Sequence, residues 1–294
     1  MQTVTLLTDP ARPTLDTALV ESLRNAWGGG VARWLSPGEA AEFEVPAPPR
    51  NLRDVWEELQ RLGVDLAVQQ AGDRRKKLLV ADMDSTMIRQ ECIDELAEVA
   101  GVGAHVREIT ARAMNGELDF EGALTERVAL LEGLDEAVIQ EVLASRITPM
   151  PGGAALVATM RAAGAHTLLV SGGFTAFTGP VAEAIGFNEA RANLLESEDG
   201  RLTGTVARPI LGRDAKVRAL EETAARLGIT DSEVLAVGDG ANDLGMLGRA
   251  GLGVALHAKP AVQALCEVRV NHGDLTALLY LQGYARSEFT AAGR

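Results

Sequence analysis

The sequence predicts an α/β protein: a doubly wound parallel sheet with a helical cap insertion and a small N-terminal α+β domain. Three observations predict it. Short apolar runs recur from residue 77 onward, with helical periodicity between most of them. Residues 92–147, after the first run, hold several helical patterns and no clear strand. Before Gly72 the strand and helix signals follow a different order, βαββαβ.

In the N-terminal stretch, Val4–Leu7 reads as a strand and Leu15–Trp27 as an amphipathic helix stopped by Gly28-Gly29-Gly30. These glycines are no phosphate loop, because neither a GK[ST] ending nor a βαβ fingerprint follows. Val31–Leu35 and Glu42–Val45 read as strands, Leu52–Leu62 as a helix ending at Gly63, and Val64–Gln69 as a last strand. This unit is either a regulatory or dimerising module or a structural extension, so a homodimer stays open. The later apolar runs are Lys77–Ala81, Thr167–Val170, Val234–Val237 and Leu252–Ala255, with Val268–Val270 a weaker fifth. Continuous apolar runs suit parallel strands covered on both faces. Asn193–Ser197 and Leu202–Val206 flank Asp199-Gly200 and read as a β-hairpin. The expected domains are residues 1–72, a core of 73–91 and 148–294, and a cap of 92–147.

Composition narrows the function. The formal charge of −13 disfavours nucleic acid and anionic membrane surfaces as partners. Arg74-Arg75-Lys76-Lys77 is too short to make a basic patch. Two distant cysteines, Cys92 and Cys266, make no disulfide framework. The N-terminus lacks the features of a signal peptide, and no apolar run approaches a membrane span. A cytoplasmic protein is expected.

The chemistry collects after the strands. Asp82-Met83-Asp84-Ser85-Thr86 follows the first, Ser171-Gly172-Gly173-Phe174 the second, and Gly238-Asp239-Gly240-Ala241-Asn242-Asp243 the third. Lys216 lies in the helix before the third. The fold brings these strand ends to one edge. Four carboxylates there, Asp82, Asp84, Asp239 and Asp243, repel one another without a counterion. Oxygen-only ligands favour Mg²⁺. Ser171, the glycine N–H groups after it and Lys216 are donors suited to phosphoryl oxygens. The set points to phosphoryl transfer. His257-Ala258-Lys259-Pro260 follows the fourth strand at the same edge, while His105 and His166 read as packing or surface residues without partners.

These motifs resemble those of the haloacid dehalogenase-like phosphohydrolases, most closely the branch that hydrolyses phosphoserine, over roughly residues 75–285. Glu91-Cys92-Ile93-Asp94-Glu95, Met114–Phe120 and Leu124–Val128 are similar to the remainder of the first motif and to the cap. The N-terminal unit is similar in layout to the ACT-like domain of some members, and the core to their Rossmannoid sheet. The resemblance implies that Asp82 attacks phosphorus and forms an aspartyl-phosphate. Asp84 then protonates the leaving oxygen and later activates water. Mg²⁺ is held by Asp82, the backbone carbonyl of Asp84, and Asp239, with Asp243 supporting them through Lys216 or water. Ser171, Gly172 and Lys216 bind phosphate. Glu91 pairs with the substrate ammonium, Arg127 with its carboxylate, and Asn242 adds a polar contact. Phe120 and Met114 close over the substrate. The implied reaction is hydrolysis of O-phospho-L-serine, the last step of serine biosynthesis.

The chemistry suits these residue types. A carboxylate nucleophile is ionised at neutral pH, whereas the acid partner must start protonated. Asp82 and Asp84 cannot face the same way on an extended strand, so the backbone is expected to leave the strand just after Asp82. Arg127 and Phe120 taken alone also suit a surface ion pair and helix packing. The nearest alternative is a phosphatase or phosphotransferase acting on another small phosphomonoester. An amino-acid-sensing binding protein with an inactive core is another, and intact Asp82, Asp84, Lys216 and Asp239 argue against it. A cation pump with a similar core is excluded by the lack of apolar spans.

Overall fold

The computed structural model describes residues 1–114 and 117–291, with Met114 in its backbone only. The N-terminal unit runs β1 (Gln2–Thr8), α1 (Thr17–Ala26), β2 (Arg33–Ser36), β3 (Ala40–Val45), α2 (Leu52–Arg61) and β4 (Val64–Gln70). The antiparallel sheet has the order β2-β3-β1-β4, a split β-α-β layout. Local chemistry sets its boundaries. The Asp16 carboxylate accepts the Ala18 N–H to start α1, and Gly28 at φ +63° ends it. Val4, Leu6, Val20, Phe43, Leu59 and Leu66 form a separate small core beneath the sheet.

The larger unit begins with β5 (Leu78–Ala81). Four helices follow: α3 (Cys92–Val99), α4 (Gly103–Met114), α5 (Phe120–Ala129) and α6 (Ala137–Ser145). The chain then alternates through α7 (Gly153–Ala162), β6 (His166–Phe174), α8 (Thr175–Ile185) and β7 (Glu189–Asn193). A hairpin of β8 (Leu195–Glu198) and β9 (Arg201–Val206) precedes α9 (Arg213–Leu227) and β10 (Val234–Gly238). The last elements are α10 (Leu244–Arg249), β11 (Leu252–Leu256), α11 (Pro260–Gln263), β12 (Val268–Val270) and α12 (Ala277–Leu281).

The six-stranded sheet has the order β12-β11-β10-β5-β6-β7, with parallel pairing throughout. Side chains of β5 alternate between two buried clusters: Leu79 and Ala81 enter one, Leu78 and Val80 the other. Burial on both faces explains why these strands read as unbroken apolar runs. The chain builds β6 and β7 on one side of β5 and then β10, β11 and β12 on the other. The order therefore reverses at β5, and a crevice opens beyond the strand C-termini there.

Three expectations are corrected. A sixth strand, β7, lies at the sheet edge. Its residues Glu189 and Arg191 carry charge and pair with each other and with Arg226 and Glu222, so no apolar run marks it. Asn193 belongs to that strand, and the hairpin starts at Leu195. Third, Ser171-Gly172-Gly173-Phe174 does not follow β6 but lies within it, as a bulge. Pairing runs Val170↔Arg191 and then Phe174↔Asn193, so the larger step on β6 throws Ser171 to Gly173 out of the ladder.

The two units join beside β12. Asp65 on β4 is buried, and its carboxylate accepts N–H groups from Asn271, His272 and Gly273 at 2.9, 2.9 and 2.8 Å. The linker cations are also paired. Arg74 meets Glu42 at 2.9 Å, Arg75 meets Glu288 at 2.6 Å, and Lys77 meets Glu233 at 2.6 Å. Among the described residues, no helix is long and apolar enough to cross a membrane.

Removing the Asp65 carboxylate takes away the acceptor of three N–H donors, one of them buried and two half-buried. Asp65→Ala should lower the stability of the folded chain by about 3 kcal/mol, read from urea denaturation midpoints. An unchanged midpoint would remove this contact from the junction.

Candidate active site

The site is built where β5, β6 and β10 end. Asp82 continues the parallel ladder one residue past β5, donating its N–H to Val237 O at 3.0 Å. The chain then turns tightly: the Met83 carbonyl accepts the N–H groups of Met87 and Ile88 at 2.8 and 3.1 Å. Met83 points into the core, while Asp84 turns back to the strand ends, as the alternation problem required. Its Oδ1 accepts the Cys92 N–H at the start of α3 at 2.9 Å, and its Oδ2 accepts the Ser171 hydroxyl at 3.1 Å. The bulge aims that hydroxyl, which in turn accepts the Gly173 N–H at 2.8 Å.

Lys216 sits in the first turn of α9 and is 1% exposed. Its Nζ donates to Asp82 Oδ1 at 2.5 Å and to Asp243 Oδ1 at 2.7 Å. A buried ammonium requires such partners. Asp243 is also fully buried, and its Oδ2 accepts the Gly240 N–H at 3.0 Å. Any side chain at Gly238 would collide with the Asp243 carboxyl group, which explains that glycine.

Carboxylate oxygens of Asp82, Asp239 and Asp243 lie within 4.8 Å of one another. Hydrogen bonding separates their roles. Both oxygens of Asp243 are engaged, whereas Asp82 and Asp239 each keep one oxygen without a hydrogen bond among the described residues. Those two oxygens are the ones available to a cation. The all-oxygen donor set fits a hard divalent ion and does not suit zinc.

The electrostatics point the same way. Burial, then the Asp243 charge, pushes the Asp82 pKa well up, against the pull of Lys216. Burial, then Asp243, raises Asp239 to about 6. Three clustered carboxylates sharing one ammonium hold excess negative charge, and a cation would reverse both shifts.

The cap side faces the same crevice with Glu91 and Arg127. Glu91 precedes α3, and its Oε1 accepts the Ser85 hydroxyl at 2.7 Å. The residue as a whole is exposed, yet lost water around its carboxyl group, then Asp84, raises it to about 7. Arg127 on α5 is half-buried, and burial lowers its pKa against the opposing charges of Asp94, Glu91 and Asp84. Its Nε donates to Ala123 O at 3.2 Å. Among the described residues, no carboxylate lies within 4.0 Å of its guanidinium, so the surface ion pair that was the alternative for Arg127 does not form. Phe120 opens α5 behind an Asp119 cap that accepts the Gly122 N–H at 2.7 Å, and its ring lies over Gly172 and Gly212. Asn242 is half-buried on the loop between Asp239 and Asp243. The Met114 side chain lies outside the described residues.

Three further residues lie at the site, Thr86 and Ser85 in the first motif and Lys259 in the segment after the fourth strand, none of them given a role from sequence. Thr86, fully buried, donates its hydroxyl to Asp239 Oδ1 at 3.3 Å. Ser85 holds Glu91 from a left-handed backbone, φ +55°, which is strained for serine. Lys259 stands close enough to Asp239 to oppose its upward shift. Adjacency to the aspartates was the only available signal for the first two. His257 is instead occupied with Gly273 O at 2.8 Å, and His166 faces Glu189 at 3.4 Å, correcting its reading as unpartnered. A cleft of about 1310 Å³ beside the linker lies at the opposite, N-terminal ends of β5 and β10, so it is separate from this chemistry.

Comparison with known proteins agrees with the geometry. A family model described as haloacid dehalogenase-like hydrolase matches residues 79–248. The chain belongs to the haloacid dehalogenase-like hydrolases. Its sheet is the Rossmannoid core of that family, with the N-terminal α+β unit added. A phosphoserine phosphatase of Streptomyces coelicolor is 48% identical over 80% of this chain and 58% of its own length. The chain thus spans little more than half of that relative. A haloacid dehalogenase family hydrolase from Salmonella enterica serovar Typhi superposes with TM-score 0.86 at 29% identity, covering 95% of this chain and 97% of the other. A phospho-aspartyl intermediate analogue of phosphoserine phosphatase superposes with TM-score 0.65 at 39% identity, covering 70% and 98%.

Cation binding gives a test with a worked sign. Mg²⁺ at a hundredfold its dissociation constant should stabilise the wild type by about 2.7 kcal/mol, and Asp239→Asn should remove most of this. The raised pKa of Asp239, about 6, means that a proton competes below that pH. Apparent Mg²⁺ affinity should therefore fall about tenfold per pH unit below about 6. Thermal melting with and without Mg²⁺ at several pH values reads both. A pH-independent Mg²⁺ effect would remove Asp239 from the ligand set.

Proposed function

We propose that this chain is a Mg²⁺-dependent phosphatase that hydrolyses O-phospho-L-serine to L-serine and phosphate through an aspartyl-phosphate on Asp82. The observation that carries the reading is the charge pattern on the cap side. Arg127 presents a guanidinium with no carboxylate within 4.0 Å among the described residues, and Glu91 is pushed up to about 7. One site lacks an anion and the other a cation. A phosphorylated amino acid supplies both, its carboxylate to Arg127 and its ammonium to Glu91. The similarity to phosphoserine phosphatases supports the same substrate.

The sequence of steps follows from the residues. Lys216 holds one oxygen of Asp82, which fixes the other toward the crevice. That oxygen forms a bond to phosphorus as the bond from phosphorus to the serine oxygen breaks. Asp84 gives its proton to the departing oxygen. Ser171, which Asp84 already touches, binds a phosphoryl oxygen together with the Gly172 backbone and Lys216. Water then attacks phosphorus, Asp84 takes its proton, and phosphate leaves with Asp82 regenerated. Mg²⁺, held by Asp82, Asp239 and the Asp84 carbonyl, supplies charge neutralisation for the carboxylates and the phosphoryl oxygens. Asp243 orients Lys216, Asn242 adds a polar contact, and Phe120 with Met114 covers the substrate.

Phosphate release from O-phospho-L-serine should disappear in Asp82→Asn. Arg127→Ala should lower kcat/KM for phosphoserine by about 30- to 100-fold, the loss of one bidentate charged contact, with a much smaller effect on an ester lacking a carboxylate. Steady-state rates on a panel of small phosphomonoesters decide it. Equal losses on both esters would remove Arg127 from recognition, and a better ester in the panel would replace the substrate.

A further inference from the structure

We infer that Asn193 is a positioning residue that staples together the seat on which the cap closes. It rests on the reading of Phe120 as a cap residue over the site. Asn193 ends β7 and is 3% exposed. Its Nδ2 donates to Gly172 O at 2.9 Å and to Leu211 O at 3.2 Å, and its Oδ1 accepts the Leu211 N–H at 2.6 Å. One amide side chain thus joins the bulge of β6 to the segment leading into α9.

Those two segments meet the same aromatic ring. A Cβ built on Gly172 would lie 2.9 Å from Phe120 Cζ, and one on Gly212 would lie 3.3 Å from Phe120 Cδ1. The ring therefore rests on two bare backbone surfaces contributed by different elements. Neither surface is held in regular pairing. Gly172 is inside the bulge, where the ladder to β7 is interrupted. Gly212 precedes the first turn of α9. Asn193 lies behind both and supplies the bonds that the ladder does not. Its partners are half-buried backbone groups, Gly172 O and the N–H and C=O of Leu211, which it satisfies.

The arrangement reaches the chemistry on both sides. Gly172 lies between Ser171, which touches Asp84, and Gly173, whose N–H fixes the Ser171 hydroxyl. Leu211 and Gly212 lead directly to Lys216. Asn193 itself makes no hydrogen bond to Asp82 or Asp84 among the described residues, so its effect passes through the seat. A shift of the seat displaces Phe120 and weakens closure over the substrate.

The test compares Asn193→Ala and Asn193→Ser with Phe120→Leu and the corresponding double variants. Serine keeps a polar group but is too short to span both carbonyls. KM should rise about tenfold in each Asn193 variant, with kcat changing less, and adding Phe120→Leu should raise KM little further. Gly212→Ala, whose Cβ meets the ring and whose backbone φ of −103° suits alanine, should raise KM without disturbing Asn193. Hydrogen exchange provides a readout without turnover: amides of α5 should lose protection while those of β5 and β10 keep theirs. Unchanged KM, additive KM effects, or protection lost equally in β5 and β10 would overturn the inference. Should the wild type prefer another phosphomonoester, the same comparison is made with that ester. The substrate reading then fails while the Asn193 inference is still decided, and with no turnover at all the exchange result decides it.

Discussion

One buried ammonium organises the site. Lys216 lies between Asp82 and Asp243 at hydrogen-bond distance from both, in a region almost closed to water. Its charge makes two buried carboxylates tolerable at once, and its geometry gives them different duties. Among the described residues, Asp82 keeps a free oxygen and Asp243 does not. The third carboxylate, Asp239, leaves the cluster with two excess negative charges, which one divalent cation would neutralise. Attraction and repulsion at these distances are worth several kcal/mol each at intermediate dielectric, roughly 4 kcal/mol for a pair at 4 Å, so the cluster is a site strongly biased toward binding a cation.

The fold exists, in functional terms, to bring Lys216 to Asp82. The two are 134 positions apart in sequence: Asp82 follows β5, where the strand order reverses, and Lys216 comes from α9, the helix that leads into β10. Parallel pairing fixes β5 against both β6 and β10, so the carboxylates and the Ser171 hydroxyl share one edge. Two irregularities of the backbone lie at the site. The bulge in β6 turns Ser171 toward Asp84, and the left-handed Ser85 presents its hydroxyl to Glu91. Asp84 also accepts the first N–H of α3, which ties the loop after β5 to the entrance of the cap helices.

Sequence revealed this site where burial was strong and obscured it where tertiary contacts decide. Asp82 and Asp239 were legible because each follows a strand covered on both faces, whose apolar run is unmistakable. β7 was not legible, because an edge strand carrying Glu189 and Arg191 meets charged neighbours and lacks an apolar signature. The placement of Ser171 after a strand failed for a related reason: paired glycines resemble a turn, although here they form a bulge inside β6. The four carboxylates were visible as a group, but their hydrogen bonds alone show that Asp243 is engaged at both oxygens. Asp65 and Asn193 gave no local sign, since each works by reaching backbone groups far along the chain.

In the proposed reaction an oxygen of Asp82 forms the bond to phosphorus. Rapid acid quenching of the enzyme during turnover of ³²P-labelled phosphoserine, followed by peptide mapping, tests that most directly. The prediction is a transient, hydroxylamine-sensitive label on the peptide containing Asp82, reduced to background in Asp82→Asn. Label on another residue, or phosphate release with no labelled protein at any quench time, would contradict it.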